Sequence, residues 1–183
     1  MIENLWAGWR GQYLSSLARR GSGDGEDVPS PGSGPSVFTA ILRSGLPDEE
    51  TYIVHRSSRV FVILNAFPYA VGHSMVLPYR QVADIDELTS EESDDLWRTV
   101  TIVCRAVRRE YEPQGLNVGI NLGSASGGSV EEHLHVHVVP RWNGDTNFLA
   151  VTANAKAIPE ALGVTAARLR TALRDIESGP ARA

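Results

Sequence analysis

The chain has 183 residues and a net charge of −5. That length suits one domain with a real core, and the acidic balance excludes a basic footprint for nucleic acid, so anionic ligands must be held by local groups. Cys104 is the only cysteine, which excludes an intrachain disulfide and a thiolate zinc site. No apolar run reaches the length needed to span a bilayer. The opening Met1-Ile2-Glu3-Asn4 lacks the basic start and apolar core of a signal peptide, so a cytoplasmic location is the expectation.

In chain order, Leu5, Trp6, Trp9, Tyr13 and Leu17 recur at helical spacing behind Asn4, predicting a short amphipathic helix over Leu5 to Arg19 within an N-terminal extension, 1–20. Residues 21–36, GSGDGEDVPSPGSGPS, have flexible-linker composition. The expected folded domain runs over 37–178, with 179–183 a tail. Val37 to Ser44 reads as one helical turn or two. Thr51 to Arg56 and Val60 to Asn65, rich in β-branched and aromatic residues, predict a hairpin across Ser57-Ser58. His73 to Pro78 is a third strand. Thr89-Ser90-Glu91-Glu92 fits a capping box, and Leu96, Val100, Val103, Val107 and Tyr111 follow at spacings of three and four. They predict one long helix ending before Pro113. Cys104 sits beside its apolar stripe and reads as a core residue. Leu116 to Leu122 is a fourth strand, Gly123 to Ser129 a glycine-rich loop, and Arg141 to Asp145 a turn. Pro159 to Ile176 is a final helix with Leu162, Leu169, Leu173 and Ile176 inward. Strands, a long helix, then strands again argue for an α+β fold: an antiparallel sheet of about five strands with the long helix packed on it, plus N- and C-terminal helices.

Between the glycine-rich loop and the turn lies Glu132-His133-Leu134-His135-Val136-His137-Val138-Val139-Pro140, which holds three of the five histidines. The period of two is that of a strand, so the imidazoles share one face and Leu134, Val136 and Val138 the other. A lone strand histidine is usually a satisfied core or edge residue. Three in register need three sets of partners for their ring nitrogens. Two chemical readings follow: zinc ligation by a His-x-His strand, or a nucleophilic histidine assisted by its two neighbours.

The pattern His-φ-His-φ-His-φ-φ, with φ apolar, resembles the signature of the histidine triad family of nucleotide hydrolases and transferases. The stretch Asn121 to Ser129 and Trp142 look most like its diadenosine tetraphosphate phosphorylase branch. The resemblance covers Thr51 to Phe148 and implies a catalytic set of His135, His133, His137 and His73. His135 matches the nucleophile that would form a nucleotidyl-histidine with the α-phosphorus, its other ring nitrogen donating to a carbonyl. His133 and His137 would hold phosphate oxygens and help protonate the leaving group, and His73 would support the row from an adjacent strand. Asn65 would meet the nucleoside sugar, Asn121, Gly128 and Ser129 the phosphates, and Trp142 an adenine. From local sequence alone Asn65 is as well a turn cap, and Trp142 a packing residue. Many family members carry a Cys-x-x-Cys pair for a structural zinc. Ser36-Val37-Phe38-Thr39 has that pattern with hydroxyls in place of thiols, so no structural metal and no cofactor are expected. The implied reaction is phosphorolysis of diadenosine tetraphosphate to ADP and ATP, with nucleotide and orthophosphate as substrates. The alternative is a hydrolase of dinucleoside polyphosphates or nucleoside 5′-phosphoramidates releasing AMP. No nucleic acid or membrane partner is expected. A homodimer or homotetramer is, with Trp97, Tyr111 and the N-terminal aromatics as candidates for burial there.

Overall fold

The computed structural model describes residues 34–128, 130–145 and 160–179. The expected N-terminal helix, most of the linker, Ser129 and Pro159 lie outside the described residues. The described elements are α1 (Val37–Arg43), α2 (Asp48–Thr51), β1 (Ile53–Arg56), β2 (Val60–Leu64), β3 (Ser74–Pro78), α3 (Ser90–Tyr111), β4 (Gly115–Ile120), β5 (Val136–Arg141) and α4 (Leu162–Ser178). The fold is α+β: a five-stranded antiparallel sheet in the order β1-β2-β3-β5-β4. The connection through α3 carries the chain past β3, so the last strand closes the gap and β5 lies between β3 and β4.

The long helix starts where its capping box predicts. Thr89 Oγ1 accepts from the Glu92 amide, and the Glu92 carboxylate accepts from the Thr89 amide. The same carboxylate receives Arg80 at 2.7 Å, and that pairing holds Glu92 down at about 2. The stripe Leu96, Val100, Val103 and Val107 packs with Ala166, Leu169, Ala172 and Leu173 of α4 on one sheet face, against Val62, Val76, Leu134, Val136 and Val138. On the opposite face Phe38 of α1 joins Ile53, Phe61, Ile63, Met75 and Leu77. Period-two alternation along β2, β3 and β5 feeds both cores, which is why these strands are buried throughout or nearly so.

Element edges differ from the sequence reading, most clearly around Thr51, at Arg141 and at the start of β5. Thr51 belongs to α2, and Tyr52 turns the chain with a φ of 58° before β1 begins. Arg141 is the last residue of β5 and no longer part of the turn. The ladder between β3 and β5 begins only at Val136, so His133 and His135 precede the paired strand. Leu134 is still anchored, its amide reaching the Val82 carbonyl at 2.6 Å. The alternation of faces therefore survives although the regular ladder does not extend that far. Tyr111, a candidate for subunit contact, hydrogen-bonds Glu160 at 2.8 Å and carries the Arg168 guanidinium over its ring. Trp97 is 45% exposed. Cys104 is half-buried beside the core, and burial raises its thiol pKa.

Candidate active site

The three histidines of the row and His73 gather on the sheet face that α1 covers, beside an apolar cavity. Phe38 on α1 packs against both His133 and His135, with ring centroids 5.6 Å apart in each case. Tyr69 packs on His73 at 4.6 Å and on His137 at 6.0 Å. The fifth histidine, His55, lies apart and meets Glu177 of α4 at 3.5 Å.

Hydrogen bonding assigns the tautomer of each ring in the cluster, because carbonyls only accept and backbone amides only donate. His133 Nε2–H donates to the Pro78 carbonyl at 2.9 Å, so its Nδ1 accepts from Ser36 Oγ at 2.7 Å. His135 Nδ1–H donates to the carbonyl of His133 at 2.8 Å, which leaves its Nε2 as a bare lone pair. The carbonyl that sequence alone could not name is thus supplied two residues away. His73 Nδ1 accepts from the Tyr69 amide at 3.0 Å, so its Nε2–H donates to His137 Nδ1 at 2.9 Å. The proton of His137 then sits on Nε2, which has no partner among the described residues. Of the four imidazoles, three have their lone-pair nitrogen capped, and only His135 presents one to the cavity. Burial holds His133 and His135 below the ordinary imidazole value, and burial together with the neighbouring His135 pushes His137 down to about 4. All three imidazoles of the row are therefore neutral near pH 7, as attack by an imidazole requires.

His133 is set apart from the other rings of the row by its surroundings. It is fully buried, lines neither cavity described below, and both of its nitrogens are engaged within the protein. A phosphate oxygen has no N–H to meet there. What the ring does instead is lock the residue whose carbonyl orients His135. The lock extends further. Ser36 Oγ also accepts from the Thr39 amide, and Gln81 Oε1 accepts from both the Ser36 amide and Thr39 Oγ1 at 2.8 Å. Two hydroxyls, an amide and an imidazole are a poor donor set for zinc, and their hydrogen bonds satisfy one another. The positions where the resemblance would place thiols do not fit a structural zinc. Among the described residues no group of three or more His, Cys, Asp or Glu is arranged to hold a metal.

The cavity is walled by Phe38, Ile41, Ile63, Phe67, Met75 and Val130, a lining suited to a planar heterocycle. Asn65, Asn121, Gly128, His135 and His137 also line it. Asn65 caps its turn, Oδ1 accepting from the Phe67 amide at 2.9 Å, and at the same time borders the cavity. The turn cap and a place on the cavity lining coexist in that residue. Gly128 comes so close to Asn121 that a Cβ would stand 3.2 Å from the Asn121 Cβ, a tight contact to which Asn121 would have to yield by a few tenths of an ångström. Trp142 lies outside the lining; its amide donates to Asp145 at 3.2 Å. Phe38, Tyr69 and Gln81 were not singled out from sequence. Phe38 follows Val37 inside an unremarkable short helix, and Gln81 lies 42 residues from Thr39 in the chain, with no local pattern to mark either.

A HIT domain model matches residues 47–144, and the chain belongs to that family. Over 170 residues, 93% of this chain and 84% of the relative, it is 41% identical to the AP-4-A phosphorylase of Mycobacterium tuberculosis. It is 32% identical over 91 residues to the bis(5′-adenosyl)-triphosphatase of Saccharomyces cerevisiae, a match covering 49% of this chain and 44% of that protein. Among solved structures, a Zn-bound histidine triad family protein from Mycobacterium smegmatis superposes with a TM-score of 0.63 and 27% identity, over 78% of this chain and 95% of that one.

Proposed function

We propose that this protein is a nucleotidyl-transferring enzyme that cleaves diadenosine tetraphosphate with orthophosphate, giving ADP and ATP. The observation that carries the reading is the single uncapped imidazole lone pair, His135 Nε2, held at the wall of an apolar cavity. The similarity to an AP-4-A phosphorylase over most of both chains supports the substrate class.

In this reading a nucleoside occupies the apolar cavity, with Asn65 at the ribose and Asn121, Gly128 and Ser129 around the α-phosphate. His135 Nε2 attacks the α-phosphorus while Nδ1–H stays on the His133 carbonyl, so positive charge developing on the ring meets an oriented dipole. The P–O bond to the leaving chain breaks, its electron pair stays on the departing phosphate oxygen, and His137 Nε2–H donates a hydrogen bond to that anion. His73 keeps that proton on Nε2 by capping Nδ1. An orthophosphate oxygen then attacks the nucleotidyl-histidine, the N–P bond breaks, and the electron pair returns to Nε2. Trp142 is given no substrate contact.

The catalytic unit we assign is 37–178. We also assign a homodimer or homotetramer, supported by β4 standing at an open sheet edge with Val118 exposed; analytical ultracentrifugation tests it. Among the described residues no helix is long and apolar enough to cross a membrane.

The test of the reaction is product identification after incubation with diadenosine tetraphosphate, with and without orthophosphate. Phosphate-dependent ADP plus ATP, abolished in His135→Ala, is the expected result. AMP plus ATP in both conditions would replace phosphorolysis with hydrolysis.

A further inference from the structure

The apolar cavity continues past His137. A second cavity adjoins it over β4 and β5, and Tyr69, Asn121 and His137 line both. Its floor is set by register. Gly119 pairs with His137 and Asn117 with Val139, so one sheet face carries Asn117, Gly119, His137, Val139 and Arg141. Position 119, directly beside the imidazole with the unpartnered N–H, has no side chain, and a Cβ there would meet nothing within 4 Å. The groove is therefore open next to His137. At its far end stands Arg141, the one cationic side chain on either lining among the described residues. Its Nε and Nη2 are gripped by Asp145 at 2.6 and 2.7 Å, and its Nη1 donates to Asn117 Oδ1 at 2.9 Å. Asp145 orients the guanidinium and is not among the residues lining the groove.

We infer that this groove is a polyphosphate subsite that takes first the leaving nucleotide's phosphate chain and then the orthophosphate acceptor, with Arg141 as its cation. The inference rests on the nucleotidyl-histidine reading above. In displacement at phosphorus the attacking and leaving atoms stand roughly in line on opposite sides. With the nucleoside in the apolar cavity and His135 on one side of the α-phosphorus, the leaving oxygen departs past His137 and its chain runs into the groove. In the first step the His135 N–P bond forms and the bridging P–O bond breaks, releasing ATP with its oxygen. In the second an orthophosphate oxygen enters from the side the leaving group vacated, forms the new P–O bond and expels Nε2, giving ADP. One groove thus serves two polyanions in turn. A chain with a net charge of −5 has no general attraction for either, and a fixed guanidinium at the groove's end supplies it locally.

The experiment compares two donors of the same adenylyl group on the full-length protein. Diadenosine tetraphosphate fills the groove; adenosine 5′-phosphoramidate, with an amine as leaving group, does not. Arg141→Gln removes the cation, and Gly119→Val fills the floor beside His137 while removing no polar group, with thermal melting as the check on folding. The expected result in each variant is a fall of about tenfold or more in the tetraphosphate-to-phosphoramidate ratio of kcat/KM, with a raised KM for orthophosphate when the phosphoramidate is the donor. An unchanged ratio in both variants, through equal losses on the two donors or through no loss, overturns the subsite and leaves the nucleotidyl-histidine reading intact. Failure of the unmodified protein to be adenylylated by either donor would instead strike that reading, and the subsite with it.

Discussion

His133 and His137 flank the same residue at the same spacing, yet their surroundings make them opposites. His133 is sealed: one nitrogen donates to Pro78, the other accepts from Ser36, and the ring lies wholly inside the protein. His137 keeps a donor in reserve: His73 caps one nitrogen, and the other keeps a buried N–H with no partner among the described residues. The first can only hold a position, whereas the second can donate to a ligand. A buried donor left unpaired costs about 1–3 kcal/mol, a cost that a bound anion would remove. Residue type and spacing are identical; the difference is made by Ser36, Pro78 and His73, none of them in the row.

The comparison can be tested from its centre outward. His135→Ala should remove turnover by about 10^4-fold or more, since it deletes the one uncapped lone pair of the four clustered imidazoles. His137→Ala should lower kcat by roughly 10^2- to 10^3-fold, the range of a lost transition-state hydrogen bond, with little net change in the denaturation midpoint, because the unpaired donor it removes is offset by the hydrogen bond that His73 Nε2–H loses. His133→Ala should reverse that pattern, costing roughly 2–4 kcal/mol in denaturant unfolding because two buried hydrogen bonds go, with activity lost through a misaimed His135. Ser36→Ala should do the same more mildly: about 1–3 kcal/mol of stability, and a lower kcat at nearly constant nucleotide KM. Thr89→Ala, far from the site, should cost about 1 kcal/mol through the lost cap and leave kcat unaltered.

Proton linkage sharpens the same contrast. Burial lowers His135, so the ring stays neutral as pH falls through the ordinary imidazole value of about 6.5, and the acid limb of kcat/KM should lie below it. Stability has a related signature. His137 titrates at about 4 in the folded protein, while the unfolded chain protonates near 6.5. Between those values the unfolded state binds the extra proton, so stability present above pH ~6.5 should be lost as pH falls toward 4. Urea midpoints across that window should fall less steeply in His137→Gln.

Much of this was legible before the structure. The capping box placed the start of α3 to the residue and the 3–4 spacing its buried stripe, because a helix start and an amphipathic stripe are local signals. Period-two alternation sorted His133, His135 and His137 onto one face and Leu134, Val136 and Val138 onto the other. The pairing of β3 with β5 was not legible, because it joins strands separated by the whole of α3. Nor were the partners that decide the tautomers. Ser36 reaches His133 across 97 positions and Gln81 reaches Thr39 across 42, and only the tertiary fold brings them together. The row announces three imidazoles, and its neighbours decide which nitrogens of each are engaged within the protein.

The most direct test of the central claim is to locate the covalent bond. The protein, labelled with 15N-histidine, would be quenched after adenylylation, and the modified ring identified by mass spectrometry and by 31P–15N coupling. Adenylate on Nε2 of His135 is the predicted result. Adenylate on His137 or His133, or on Nδ1 of His135, would contradict the tautomer assignment and the mechanism built on it.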